Sequence, residues 1–183
     1  MAARAVPAPL AQLPNALTVA RLGLIPVFVV LMVDAGQNPS WPAGIVFGIA
    51  GVTDQIDGFL ARRWHVESRF GKIADPLADR LMIDSAVILL FVYDRLPWVG
   101  LVVILVRDVL LIVGSRVLAP RGVELEVNTV GKAATWILYL AIGCRIVTEP
   151  STEWPLALFW LGIALAVVAA GFYAVQARGE LRR

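Results

Sequence analysis

Four carboxylates, Asp54, Asp57, Asp75 and Asp79, fall within 26 consecutive positions of a chain whose residues are 59% hydrophobic. So much charge in so apolar a protein needs a compensating partner. Asp54 and Asp57 lie three residues apart and Asp75 and Asp79 four apart, so in helical segments each pair projects from one face. Two such faces opposed across a bundle make a cage of oxygen donors, with Gly58 and Ala61 leaving room for a substrate beside it. Oxygen donors without a thiolate or imidazole cluster suit Mg²⁺, Mn²⁺ or Ca²⁺ better than zinc. A charge at membrane depth costs at least about 2.5–3.5 kcal/mol, and four carboxylates together also repel one another. The structural alternative is ion pairing with Arg62, Arg69 and Arg80, or placement at solvated helix ends.

Other polar residues stand out against apolar surroundings. Arg107 and Asp108 interrupt the run LVVILVRDVLLIVG, and ionisable groups within a span are functional candidates unless they merely pair with each other. Lys132, in NTVGKAAT, and Arg116 either complete a basic pocket or extend to the membrane surface. Arg21 is open to the same two readings, phosphate ligand or surface-seeking side chain. Asp84, one turn beyond Asp79, suits orienting Arg80 or a metal ligand. His65 reads as a solvated loop residue, and the single cysteine, Cys144, as packing.

The elements that must position these groups are read from hydropathy. A mean hydropathy of +0.78 does not suit a soluble globule, and a formal charge of +2 is too small to argue for nucleic acid. The chain reads as one membrane domain over residues 1–183, with a lead-in at 1–12 and a basic tail at 178–183. Six helices are expected: from Pro14 or Asn15 to about Asp34, Pro42 to Arg63, Ala74 to Tyr93, Trp98 to Leu118, Thr129 to Val147, and Leu156 to Ala177. The polar links DAGQNPSWP, WHVESRFGK, APRGVELEVN and TEPSTEWP, with the Asp94–Pro97 turn, separate them. Pro76 suits a first helical turn. A signal peptide is the competing reading of the start, but Leu17–Val33 is long enough to span and no small-x-small site precedes Asp34.

Arg62, Arg63, Arg69 and Lys72, then Arg116, Arg121 and Lys132, and finally Arg178, Arg182 and Arg183 fall on one side of a six-span topology. The other side has Asp34, then Asp94 with Arg95, then Arg145 with Glu149 and Glu153. The positive-inside rule places both termini and the carboxylates at the cytosolic face. Trp41, Trp64, Trp98 and Trp154 fall near helix ends as interfacial anchors do. Trp136 and Trp160 do not, and read as packing.

Asp54, Asp57, Gly58, Ala61, Arg62, Gly71, Asp75 and Asp79 occupy every fixed position of the pattern D-x2-D-G-x2-A-R-x8-G-x3-D-x3-D. On that match the chain resembles the CDP-alcohol phosphotransferases, integral membrane enzymes that move a phosphoalcohol from a CDP-linked donor to an alcohol and release CMP. The resemblance implies that Asp54, Asp57 and Asp75 are metal ligands and that Asp79 is the general base, also close to a second metal. Two Mg²⁺ or Mn²⁺ ions are the implied cofactors, and a homodimer the implied assembly. Arg62 suits the donor diphosphate, and Gly58 close approach of the nucleotide. Gly71 is equally an ordinary loop glycine.

LPNALTVARLGLIPVF, near the N-terminus, resembles the opening of the family's phosphatidylglycerophosphate and cardiolipin synthases. In that comparison Asn15, Thr18 and Ser68 contact the donor nucleotide, whereas local chemistry alone makes Asn15 and Thr18 helix caps. The expected fold is therefore all-α, a polytopic bundle of six transmembrane helices with a polar cavity open to the cytosol.

The expected reaction transfers a phosphatidyl group from CDP-diacylglycerol to sn-glycerol 3-phosphate, with Arg107, Arg116 and Lys132 at the acceptor. Arg107-Asp108 looks more like the cardiolipin synthases, which makes phosphatidylglycerol the second acceptor to test and inositol phosphate the third. A metal-ion transporter should show broken spans or repeated halves, and neither is visible. A non-catalytic scaffold would need no intact set of aspartates, and all four are present.

Overall fold

Long apolar runs separated by short polar links leave the backbone one way to satisfy its hydrogen bonds in lipid, which is helix. The computed structural model describes residues 13–64, 71–118 and 129–180. Among these described residues there are six α-helices and no strand: α1 (Leu13–Ala35), α2 (Trp41–Trp64), α3 (Gly71–Val92), α4 (Trp98–Leu118), α5 (Thr129–Val147) and α6 (Trp154–Glu180).

Two helix ends carry visible stop signals. Gly36 has φ 59°, and its N–H donates to the Met32 carbonyl at 3.0 Å, a left-handed cap closing α1. At the end of α3, Asp94 has φ 56°, its N–H donates to Phe91 at 3.0 Å, and the Arg95 N–H donates to Leu90 at 2.7 Å. That is a Schellman arrangement built on aspartate, one of the few side chains that tolerate the left-handed region.

The boundaries follow the sequence reading closely for α4 and α5. α3 starts earlier, at Gly71 rather than Ala74. Pro76 therefore lies in the second turn, where its missing N–H leaves the Lys72 carbonyl outside the helical ladder. α6 is longer than expected at both ends.

The chain forms two compact units. The first contains α1, α2 and α3 as far as Leu89. Within it α1 packs on α2, and α3 contributes buried Ala78, Met82, Ala86 and Val87. The second takes in residues 37–39 and the chain from Leu90 onward. There α6 packs along α5 and touches α4.

Two glycines explain those contacts. A Cβ on Gly100 would stand 2.7 Å from Cε1 of Phe159, and one on Gly162 would stand 2.7 Å from Cγ of Leu138 and 3.2 Å from the Leu138 backbone nitrogen. Small residues let membrane helices approach this closely. Gly162→Ala is expected to cost about 1–3 kcal/mol by overpacking. Gly171→Ala, with nothing within 4 Å of the new methyl, should leave thermal unfolding in detergent unchanged. Equal melting temperatures for the two variants would contradict the close α5–α6 contact.

The second unit also holds two buried arginines near its loops. Arg95 donates to the carbonyls of Asn38, Arg145, Ile146 and Thr148. Arg145 returns Nε–H to the Arg95 carbonyl at 2.7 Å and donates to Pro150 and Thr152. Two basic residues that run against the charge bias are thus committed to backbone acceptors inside the fold.

Three helical stretches among the described residues, Ala16–Ala35, Thr129–Val147 and Trp154–Phe172, are long and apolar enough to cross a membrane by length and composition. Val30, Ile45, Val109, Leu140 and Val167 are exposed large apolar residues, far more outward hydrocarbon than a soluble surface carries. Trp41, Trp98 and Trp154 each open a helix and are exposed, in keeping with their reading as anchors. Trp136 and Trp160 correct the sequence reading: they are exposed, at 57% and 36%, rather than packed. Where the solvent is hydrocarbon, an apolar side chain gains little by turning inward.

Candidate active site

The site begins with the hairpin of α1 and α2. Thr18, Arg21, Phe28 and Met32 form the buried stripe of α1, and Ala43, Phe47 and Ala50 that of α2. These spacings of three, four and seven residues keep each set on one face. Toward the turn the two stripes meet through Phe28 and Phe47, whose ring centroids are 5.8 Å apart. Seven residues earlier on α1 and seven later on α2, Arg21 donates to Asp54, with Nη1 2.8 Å from Oδ1. One antiparallel register therefore fixes an aromatic contact at one level and an ion pair two turns away.

The Arg21 side chain is 0% exposed and that of Asp54 24%. This removes the surface-seeking reading of Arg21, because the apolar stripe around it holds the guanidinium inside. It also gives Asp54 a described partner that the sequence reading, which considered Arg62, Arg69 and Arg80, did not name. The signal was the seven-residue spacing from Arg21 to Phe28 matched by Phe47 to Asp54, visible only once the hairpin register is known.

Asp57, Gly58 and Arg62 follow on the last turns of α2. Asp75 and Asp79 lie on α3, at register positions two turns and one turn before Met82, respectively. Of the four aspartates, Asp54 is the one whose side chain is among those described. Asn15 lies in the first turn of α1, and Thr18 is fully buried one turn before Arg21. Asp84 is half-buried on α3, and Cys144 is a half-buried free thiol on α5. Ser68 and His65 fall outside the described residues, and Gly71 is the first residue of α3 rather than a loop residue.

The donor set can be judged against a divalent cation. Every candidate ligand is an aspartate, the oxygen-donor chemistry that Mg²⁺ or Mn²⁺ takes, and the one described among them, Asp54, has the Arg21 guanidinium as a cationic neighbour at 2.8 Å.

In the second unit, Arg107 on α4 is partly buried and donates Nη2–H to Thr135 Oγ1 on α5 at 3.1 Å. Its Nη1 is 3.5 Å from Asp108 Oδ1, at the outer limit of a hydrogen bond. The Thr135 hydroxyl in turn donates to the Gly131 carbonyl at 3.0 Å. Lys132, one turn before Thr135 on α5, is exposed. Thr135 was not singled out from the sequence; its position one turn from Lys132 was the available clue. Arg116 lies in the last turn of α4.

Comparison with known proteins gives a consistent set of relatives. The family described as CDP-alcohol phosphatidyltransferase matches residues 11–168. The chain is 34% identical over 180 residues to the CDP-diacylglycerol--glycerol-3-phosphate 3-phosphatidyltransferase of Bacillus subtilis, a match covering 88% of this chain and 93% of that protein. It is 35% identical over 176 residues to the cardiolipin synthase (CMP-forming) of Streptomyces coelicolor, covering 85% and 81% respectively. A probable phosphatidylglycerophosphate synthase of Mycobacterium tuberculosis is 33% identical over 177 residues, covering 94% of this chain and 84% of that protein.

Proposed function

The chain belongs to the CDP-alcohol phosphatidyltransferase family, and we propose on that basis that it transfers a phosphatidyl group from CDP-diacylglycerol to sn-glycerol 3-phosphate. The products are phosphatidylglycerophosphate and CMP. The observation that carries this reading is the signature itself, with Asp54 held inside the α1–α2 hairpin by Arg21 and Asp75 and Asp79 on the helix that follows.

Asp54, Asp57, Asp75 and Asp79 would hold two divalent ions. When bound, such ions neutralise charge on the attacked phosphate and on the departing CMP. The residues of the chain supply the rest. Asp79 takes the proton from the acceptor hydroxyl as its oxygen attacks the phosphorus that bears diacylglycerol. The bond from that phosphorus to the CMP phosphate breaks, and CMP leaves. Arg62 clamps the donor diphosphate through a planar fork of N–H donors. Asn15 and Ser68 contact the nucleotide, and Gly58 lets it approach the backbone; Thr18, expected from the sequence at the same contact, is fully buried in the α1–α2 hairpin and supports that wall from within. Arg107, Arg116 and Lys132 receive the acceptor phosphate, with Thr135 orienting Arg107. The enzyme works as a multi-pass homodimer with both termini and the site on the cytosolic side, where the lipid donor enters from the inner leaflet.

CMP release by the purified protein tests the proposal, with CDP-diacylglycerol, Mg²⁺ or Mn²⁺, and glycerol 3-phosphate, phosphatidylglycerol or inositol phosphate as acceptor. Release with glycerol 3-phosphate that EDTA stops is the expected result. Release with phosphatidylglycerol alone would instead make this a cardiolipin synthase, the reading favoured by the adjacent Arg107 and Asp108. Lys132→Ala is expected to raise the KM for glycerol 3-phosphate about tenfold, equivalent to one lost charge-assisted contact, with the KM for CDP-diacylglycerol unchanged. Equal effects on both would remove Lys132 from the acceptor site.

A further inference from the structure

We propose that Arg21 is a positioning residue for phosphatidyl transfer: it fixes the Asp54 carboxylate and serves as its counter-cation whenever no divalent ion neutralises that end of the hairpin. The transfer part of this proposal rests on the function proposed above. The pairing part rests on geometry alone.

Three observations support it. The Arg21 side chain is 0% exposed, so its guanidinium offers no surface on which a donor phosphate could land without the hairpin opening. Its Nη1 meets Asp54 Oδ1 at 2.8 Å, the length of a charge-assisted hydrogen bond. The pair also shares its register with the Phe28–Phe47 contact two turns away, so the packing that seats the rings seats the ions as well. An arginine keeps its charge at any working pH and presents N–H donors in a rigid plane. It therefore compensates Asp54 continuously and holds one carboxylate oxygen in a fixed direction. Asp54 is the first carboxylate of the signature, and an error of about 1 Å in a catalytic constellation can cost about 100-fold in rate.

The test is a double-mutant cycle on the full chain in detergent, using Arg21→Met, Asp54→Asn and the double variant, melted in EDTA and in Mg²⁺. In EDTA, Arg21→Met is expected to melt about 5–10 °C lower, because the part-buried Asp54 carboxylate loses its arginine counter-charge. The double variant should recover most of that loss, because no charge is then left uncompensated. Mg²⁺ should raise the melting temperature of Arg21→Met more than that of the wild type, since the ion then supplies the missing positive charge. Turnover by Arg21→Met at saturating Mg²⁺ should fall about 100-fold with the KM for CDP-diacylglycerol unchanged. Arg21→Lys should regain the EDTA melting temperature but only part of kcat, since an ammonium keeps the charge and loses the planar fork.

Additive losses in the double variant would overturn the proposal, as would a raised KM with unchanged kcat, which would make Arg21 a donor ligand. Absence of CMP release from the wild type would sink the functional reading alone, because the EDTA melting cycle judges the Arg21–Asp54 coupling without any turnover.

Discussion

Asp79→Asn is expected to abolish CMP release while leaving the protein folded and able to bind CDP-diacylglycerol. The substitution keeps size and shape and removes the proton acceptor, and general-base catalysis contributes about 10²–10⁴-fold. It also removes one carboxylate from the proposed ion cage, so the combined loss should exceed the base term alone. Position 79 lies within α3, between its start at Gly71 and the buried Met82. A neutral amide there does not threaten the helix beyond a small propensity cost. Melting temperature in EDTA and equilibrium binding of the donor separate folding from chemistry. Turnover near the wild-type value would end the assignment of Asp79 as base.

Arg95→Met is expected to cost about 3–5 kcal/mol, enough to threaten the fold rather than the chemistry. Arg95 is 1% exposed. Its guanidinium reaches the carbonyls of Asn38 at 3.0 Å, Ile146 at 3.3 Å and Thr148 at 2.7 Å, as well as that of Arg145. Arg145 and Ile146 belong to the last turn of α5, whose carbonyls have no partner within the helix and which favours a cation at its end. One side chain thus caps α5 and ties it to residue 38 and to the α3–α4 turn.

Burial, and next the charge of Arg145, lower the Arg95 pKa from its ordinary value, while Glu149 opposes them; an arginine so placed still stays protonated across the working range. Methionine would fill much of the space and leave several acceptors buried. Arg95→Lys should rescue only part of the loss, because one ammonium cannot reach acceptors spread over two loops and a helix end. Thermal unfolding and the yield of monodisperse protein in detergent measure both variants. A melting temperature for Arg95→Met within a degree or two of wild type would contradict the capping role.

Much of the fold was legible because the polar links are unambiguous. Asn38-Pro39, the Asp94–Pro97 turn and Thr148–Pro155 each break an apolar run, and the helices end within a few residues of them. The start of α3 was misjudged because Pro76 reads as a helix opener, whereas the helix begins five residues before it. Trp136 and Trp160 were misjudged for a different reason. Their helices are apolar on most faces, so hydropathy alone cannot tell a buried position from one facing lipid.

Residue order alone is enough for the helical class, the places where the chain turns, and a set of four aspartates at spacings of three and four residues. Those features depend on local backbone preference and on residue type, which one strand of letters carries completely. Which charges meet follows from how the helices pack. Arg21 faces Asp54 only because α1 and α2 pack antiparallel in the register set by Phe28 and Phe47, and a shift of one turn would give Asp54 another neighbour. Arg95 and Arg145 bind backbone carbonyls, and no residue type marks a carbonyl as an acceptor. Which of those carbonyls an arginine reaches depends on how distant loops are brought together in space, and that is fixed by packing.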